Sequence, residues 1–279
     1  MSYQEQLCNI LWDMQMTIEQ CAPDLAWKLW IYTNFDCNLR CSYCVAESTP
    51  RAPRNAMSLE NAQRLVDEAV ALGFKKLFFT GGEPFILDEI YAMLAHASAR
   101  LKTTVLTNAM LFNSRRLARL LEIANPNLQV QVSLDGGRAE HHDAYRGPGS
   151  WKKTIEGIRT LQDNGFNLRL STTETPANSA HLDELREFRR SLGIADEDHF
   201  IRPLAKRGFS SEGLEVGPGT LVPEITVTIN GIYWHPLASP SSEDMLVTKD
   251  IFPLSAAVTR VQKDLAAQLD GIQELQEFA

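Results

Sequence analysis

The sequence predicts an α/β chain, arranged as a partial (β/α)6 parallel barrel with a small C-terminal β-hairpin plus helix extension. Two observations carry this. Short apolar runs alternate with amphipathic segments of helical period from about residue 26 to residue 202, and such alternation means parallel strands joined by helical crossovers. Beyond residue 202 the composition shifts to Gly- and Pro-rich loops around a hairpin signal. Periodicity alone does not separate a barrel from a flat doubly wound sheet; the count of six strands favours the barrel.

In chain order, Leu7, Ile10, Leu11, Met14 and Ile18 recur at helical spacing and predict an N-terminal helix at 4–20 within a 1–25 segment. Trp27 to Thr33 reads as the first strand, and Ser58 caps a helix with Ala62, Leu65, Val66, Ala69 and Leu72 on its apolar face. Lys76 to Thr80 is the second strand, followed by a helix at about 87–99. Thr103 to Thr107 is the third, and Ser114 opens the next helix. Val130 to Leu134 is the fourth, and Trp151, Ile155, Ile158 and Leu161 line the helix after it. Leu168 to Thr172 and His199 to Ile201 are the fifth and sixth strands, with a helix carrying Leu182, Leu185 and Phe188 between them. In the 203–279 segment, Thr226 to Ile229 and Ile232 to Trp234 flank Asn230-Gly231, a pair suited to a type I′ turn. A last helix is expected at about 255–276.

The 279 residues are 44% hydrophobic and 22% charged, which excludes disorder, collagen and coiled coil as the main architecture. No apolar stretch is long enough for a membrane span, and the first twenty residues, which carry Glu5, Asp13 and Glu19 and lack a basic start, do not read as a signal peptide. Twenty-seven Lys and Arg against 35 Asp and Glu leave a net charge of −8, which argues against nucleic-acid or anionic-membrane partners. Five cysteines do not make a secreted disulfide framework, so a cytoplasmic location is expected.

Cys37, Cys41 and Cys44 form a Cys-x3-Cys-x2-Cys cluster. Thiolates bind soft metals and iron–sulfur clusters. Three of them do not close a tetrahedral zinc site, whereas a [4Fe–4S] cluster would keep one iron without a protein ligand; an open position marks a catalytic site. Cys8 and Cys21 read as buried small hydrophobes.

Cys37-Asn-Leu-Arg-Cys41-Ser-Tyr-Cys44, directly after the first strand, resembles the cluster motif of the radical S-adenosylmethionine (SAM) enzymes, including the aromatic Tyr43. Thr80-Gly81-Gly82-Glu83-Pro84 after the second strand resembles that family's Gly-Gly-Glu segment. Thr107-Asn108 ends the third strand, with Ala109 where the family often has glycine. Val132-Ser133-Leu134-Asp135-Gly136, His142 to Gly147 and Gly149 to Trp151 resemble the branch containing molybdenum-cofactor cyclases and peptide- and protein-modifying members. The likeness spans roughly residues 26–202.

The resemblance implies one [4Fe–4S] cluster on Cys37, Cys41 and Cys44. It implies SAM bound at the open iron and cleaved reductively to a 5′-deoxyadenosyl radical, which takes a hydrogen atom from a small-molecule or peptidic substrate. Gly81, Gly82 and Glu83 would hold the methionine end, the Glu83 carboxylate accepting from the ammonium. Thr107 and Ser133 are expected carboxylate or ribose contacts, with Asp135 nearby, and Tyr43 and Ile201 are expected beside adenine. A flavodoxin or ferredoxin would supply electrons; Arg51, Arg54, Lys75 and Lys76 either dock it or form a solvated loop and strand edge. Residues 223–237 resemble the opening hairpin of the cysteine-rich SPASM or twitch extension, with His235 near a cysteine position. No cysteine follows Cys44, so a degenerate cap over 203–279 is expected. The 25 or so residues before the first strand are too few for a cobalamin or peptide-recognition domain. His141-His142 reads as a solvated loop pair or cap rather than a ligand pair, and Arg146 either binds a substrate anion or pairs with Asp143. The competing readings are a non-enzymatic iron–sulfur electron carrier and a zinc-stabilised scaffold.

Overall fold

The computed structural model describes residues 28–238 and 240–269. The expected helix at 4–20, with Cys8 and Cys21, and the end of the expected last helix lie outside the described residues. Six strands, β1 (Lys28–Tyr32), β2 (Lys76–Thr80), β3 (Lys102–Thr107), β4 (Leu128–Ser133), β5 (Leu168–Glu174) and β6 (His199–Pro203), lie parallel and side by side in chain order. The crossovers carry α1 (Leu59–Ala71), α2 (Ile90–Ser98), α3 (Ser114–Glu122), the pair α4 (Ala139–Arg146) and α5 (Ser150–Asp163), and α6 (Leu182–Ser191). Helix α4 was not legible in the periodicity. Ser58 Oγ accepts from Asn61 N–H and caps α1 as expected, whereas α3 is capped by Asn113, one residue before Ser114.

Side chains alternate across a strand, so each strand shows one face to the helices and one to the lumen. The helix side is apolar: Leu29, Ile31, Leu77, Phe79, Val105, Val130 and Val132 are fully buried, each worth ~1.5–3 kcal/mol on burial. The lumen side carries Trp30 and Phe78, stacked at 4.3 Å, with Tyr32, Thr80, Gln131 and Ser133. Ser171, Thr173 and Arg202 complete it on β5 and β6. Such a lumen is too polar to be a packed core of the usual branched apolar layers.

The C-terminal strands are not a separate layer. β7 (Thr226–Thr228) pairs parallel with β1, matching Trp30 with Thr226 and Ile31 with Val227. β8 (Gly231–Tyr233) and an unexpected β9 (Leu246–Thr248) then extend the sheet antiparallel, giving nine strands among the described residues. The hairpin turn is shifted from the expected Asn230-Gly231: Thr228 pairs with Gly231, so Ile229 and Asn230 form the loop. Gly231, at φ +141°, opens β8, and a Cβ there would lie 2.5 Å from the Thr248 carbonyl. The glycine is needed for the approach of β9 rather than for the turn. Helix α7 (Leu254–Leu269) packs on α1, and Leu254 N–H donates to Glu68.

Candidate functional site

The loop after β1 carries all three clustered cysteines, and hydrogen bonds fix its path. Asn34 donates to the carbonyl of Asp36 at 2.9 Å and to its carboxylate at 2.8 Å. The turn after β2 seals against it: Gly82 N–H donates to Asn34 O at 2.9 Å and Glu83 N–H to Asp36 O at 3.0 Å. A Cβ on Gly82 would lie 2.0 Å from the Asp36 carbonyl, and one on Gly81 (φ +137°) 2.4 Å from that of Asn34. Only glycine permits both the contact and the conformation.

Cys37, Cys41 and Cys44 are free thiols that line one cavity of about 210 Å³ at the C-terminal ends of the strands. Gly81, Gly82, Thr107, Asn108, Ser133 and Arg146 line it too. Leu39 N–H donates to Cys37 Sγ at 3.4 Å. Burial pushes the Cys37 thiol well up and the Cys41 thiol to about 11, the latter against the pull of the Arg146 guanidinium. Both are therefore protonated at neutral pH until a metal displaces the protons.

Behind the cavity wall lies a buried polar hub. Asp135 accepts from Arg146 Nε at 2.6 Å, from the Tyr43 hydroxyl at 2.5 Å and from Thr173 N–H at 2.9 Å. Its own N–H donates to His142 Nδ1 at 3.1 Å, and its carbonyl accepts from Asn178. Arg146 holds the Asp135 carboxylate below its ordinary range despite burial. The hub ties the cysteine loop to α4 and β5.

Of the residues expected to touch the cofactor, Tyr43, Gly81, Gly82, Thr107 and Ser133 line the cavity, while Glu83, Asp135 and Ile201 do not. Glu83 is fully buried, and its carboxylate accepts from Thr107 Oγ1 and Asn108 N–H, both at 2.9 Å, and from Phe85 N–H at 3.1 Å. Oε1 takes two of these donors and Oε2 one, so Oε2 keeps a lone pair. Burial nevertheless pushes the carboxyl up to about 7. Asp135 is spent in the hub. Ile201 has the opposite parity to Arg202, which faces the cavity.

Arg146 pairs with Asp135 and not with Asp143. The Asp143 carboxylate accepts from Gly149 and Trp151 N–H and from the Ser150 hydroxyl, fixing the start of α5. His141 and His142 are buried in α4, correcting the solvated-loop reading. His141 stacks on His181 at 4.1 Å; with Glu184 they form a second group of possible metal-ligating side chains, but Glu184 pairs with Arg138. Sequence reasoning missed Asn108, Thr173 and Arg202. Strand alternation at β5 and β6 was the available signal for the last two.

A parallel barrel with three free thiols converging at its strand ends defines an open soft-metal site on an enzyme-type scaffold. The chain belongs to the radical SAM superfamily, whose sequence profile matches residues 31–188. That family uses a [4Fe–4S] cluster and SAM. An AdoMet-dependent heme synthase of Methanosarcina barkeri is 30% identical over 200 residues, 71% of this chain and 55% of that protein. The mycofactocin maturase MftC of Mycolicibacterium smegmatis is 29% identical over 181 residues, 64% of this chain and 44% of that one. The chain thus spans about half the length of these curated relatives. Streptococcus suis SuiB bound to S-adenosylmethionine superposes with a TM-score of 0.59 at 20% identity, over 69% of this chain and 44% of SuiB. That likeness shows the fold.

Proposed function

We propose that this chain is a radical SAM enzyme acting on a small-molecule or peptidic substrate. One observation carries the reading: three free thiols and the Gly81-Gly82 turn share a cavity at the strand ends. The donor set fits a [4Fe–4S] cluster on Cys37, Cys41 and Cys44, with one iron left to the methionine end of SAM. Held by Cys37, Cys41 and Cys44, such a cluster would supply the one-electron reduction of SAM that starts hydrogen-atom abstraction from the substrate.

The chain's own residues position and shield. Gly81 and Gly82 present backbone to the methionine ammonium, and Ser133 and Tyr43 line the space for the rest of the cofactor. Thr107 and Glu83 clamp the two strand-end loops together from behind. Residues 203–238 and 240–269 act as a degenerate twitch-like cap, and no cysteine follows Cys44 in the sequence. Leu237 of this segment lines the cavity, and the Tyr32 hydroxyl donates to the Pro236 carbonyl at 2.6 Å. His235, which stands near a twitch cysteine position, is buried and accepts from Leu237 N–H at 3.1 Å. A peptidic substrate is supported by the maturase relative and by SuiB, which has been crystallised with its precursor peptide. A flavodoxin or ferredoxin is the proposed electron donor, and the cytoplasm the proposed location. Among the described residues no helix is long and apolar enough to cross a membrane.

The test is electron paramagnetic resonance of anaerobically reconstituted, reduced protein with and without SAM. A [4Fe–4S] signal that changes with SAM, and is lost in Cys41→Ala, is expected. A signal indifferent to SAM would indicate an electron carrier. Zinc retained without a cluster would indicate a scaffold.

A further inference from the structure

The lumen below the thiols holds a charge that the protein leaves unanswered. Arg202 projects from β6 into the cavity, in register with Thr173 of β5. Its Nε is sealed from solvent and has no hydrogen-bond partner, and among the described residues no carboxylate forms a salt bridge with it. Three other cationic groups near the lumen have a carboxylate within salt-bridge reach, although Arg169 Nε, like Arg202 Nε, lacks a hydrogen-bond partner. Arg146 is paired with Asp135 at 2.6 Å, Lys28 with Glu224 at 2.8 Å, and Arg169 with Asp198 at 3.5 Å. Glu224, the carboxylate whose field reaches Arg202, also accepts from Trp30 Nε1. Arg202 is half-buried; a desolvated cation without a partner is costly, and desolvation draws its guanidinium below its ordinary range.

We propose that Arg202 is the specificity-determining anchor for a carboxylate group carried by the substrate. The proposal rests on the radical SAM reading of the same cavity. Its surroundings point to the substrate rather than to SAM. It shares the cavity wall with Thr173 and with Leu237 of the C-terminal segment, and its electrostatic neighbours include Tyr32 across the lumen and Glu224 and His235 on the side of the C-terminal strands. The chemistry selects a carboxylate over a phosphate: one uncompensated positive charge balances one negative charge, and a planar guanidinium matches a carboxylate in a two-point contact. Thr173, beside it in the cavity wall, offers a hydroxyl to the same group.

The test uses succinate as the probe on anaerobically reconstituted protein saturated with SAM, followed by isothermal titration. Wild type is expected to bind succinate, Arg202→Met to bind it at least about tenfold more weakly, and Arg202→Lys to fall between them. SAM affinity and the resonance change on adding SAM are expected to stay within about twofold of wild type in both variants. Arg202 makes no bond to the protein, so both variants are expected to fold, which thermal denaturation checks. The proposal is overturned if wild type does not bind succinate, or if Arg202→Met binds it as wild type does. It is also overturned if Arg202→Met loses SAM affinity tenfold, which would assign the guanidinium to the methionine carboxylate, or if inorganic phosphate binds wild type more tightly than succinate. If the wild-type cluster signal does not respond to SAM, the radical SAM reading fails instead; the same titration without SAM then still decides whether Arg202 binds a carboxylate.

Discussion

Replacing Arg146 by methionine isolates the energetics of the buried hub. The side chains of Arg146 and Asp135 are 9% and 1% exposed, with Nε 2.6 Å from Oδ2. Removing one member of a buried pair costs ~3–5 kcal/mol, because the other charge stays buried without its partner. Asp135 would keep the Tyr43 hydroxyl and Thr173 N–H, which sets the expected loss near the lower end, ~3 kcal/mol. The loss has a pH signature. In wild type the depressed Asp135 pKa contributes stability that is present above the unfolded value and lost in acid. Without Arg146, burial dominates and the folded pKa rises above the unfolded one. The variant's native state then takes up a proton that its unfolded state releases, so its deficit is larger at pH 8 than at pH 5. Urea denaturation of the cluster-free protein at both pH values measures this, and Asp135→Asn with Arg146→Met should recover most of the loss. A deficit under ~1 kcal/mol, or one that grows in acid, would refute the reasoning.

The remaining expectations follow from single contacts. Gly82→Ala should abolish SAM binding and cost at least ~1–3 kcal/mol, read by titration and thermal denaturation, because its Cβ would lie 2.0 Å from Asp36 O. Gly157→Ala should destabilise to a similar degree by driving α5 off the Ala109 carbonyl, 1.9 Å from the added Cβ, while leaving the thiols intact to a thiol reagent. Zinc, as a probe for the cysteines, should bind more tightly as pH rises, releasing protons that include those of Cys37 and Cys41; calorimetry in buffers of different ionisation enthalpy counts them. Buried, neutral His142 and His235 have pKa values lowered to about 4. Their folded forms bind fewer protons than the unfolded chain, so stability present above pH ~6.5 should fall toward pH 4 by up to ~3 kcal/mol each. His235→Gln should flatten that slope in pH-dependent denaturation.

Most of the barrel was legible because its strands alternate with helices of clear period and caps such as Ser58. What was not legible was long-range. Nothing in Thr226 to Thr228 announces a parallel pairing with β1, since a three-residue strand has no period to read and its partner lies about 200 residues away. The Asn230-Gly231 pair suggested the right hairpin with the wrong turn, because Gly231 answers to β9 and not to its own loop. At the site, the cysteines and glycines were readable from spacing, since backbone approach and thiol chemistry depend on residue type. The carboxylates were not: Glu83 and Asp135 sit at strand ends where a ligand contact and a buried clip look alike in one dimension. Ile201 stands one residue from Arg202, which lines the cavity, and in a strand one residue exchanges lumen for shell.

Glu83 and Asp135 together give a different picture of this site from a ring of ligands. Each is a fully or nearly fully buried acid whose oxygens accept from neighbouring loops: Glu83 joins the β2 turn to the end of β3, and Asp135 joins β4 to the cysteine loop, α4 and β5. Three free thiols in a loop without secondary structure would otherwise sample many arrangements, and the entropy of fixing them would weigh against any metal. The two clips bear that ordering cost during folding, so a cluster meets a loop already shaped. The same logic explains why Arg202 stands apart. Near the thiols Asp135 and Arg146 answer each other, which gives rigidity, whereas in the lumen one half-buried cation is left for something that arrives later. A site that fixes its cofactor with internal pairs and meets its substrate with an unpaired charge can exchange substrates without loosening the cofactor.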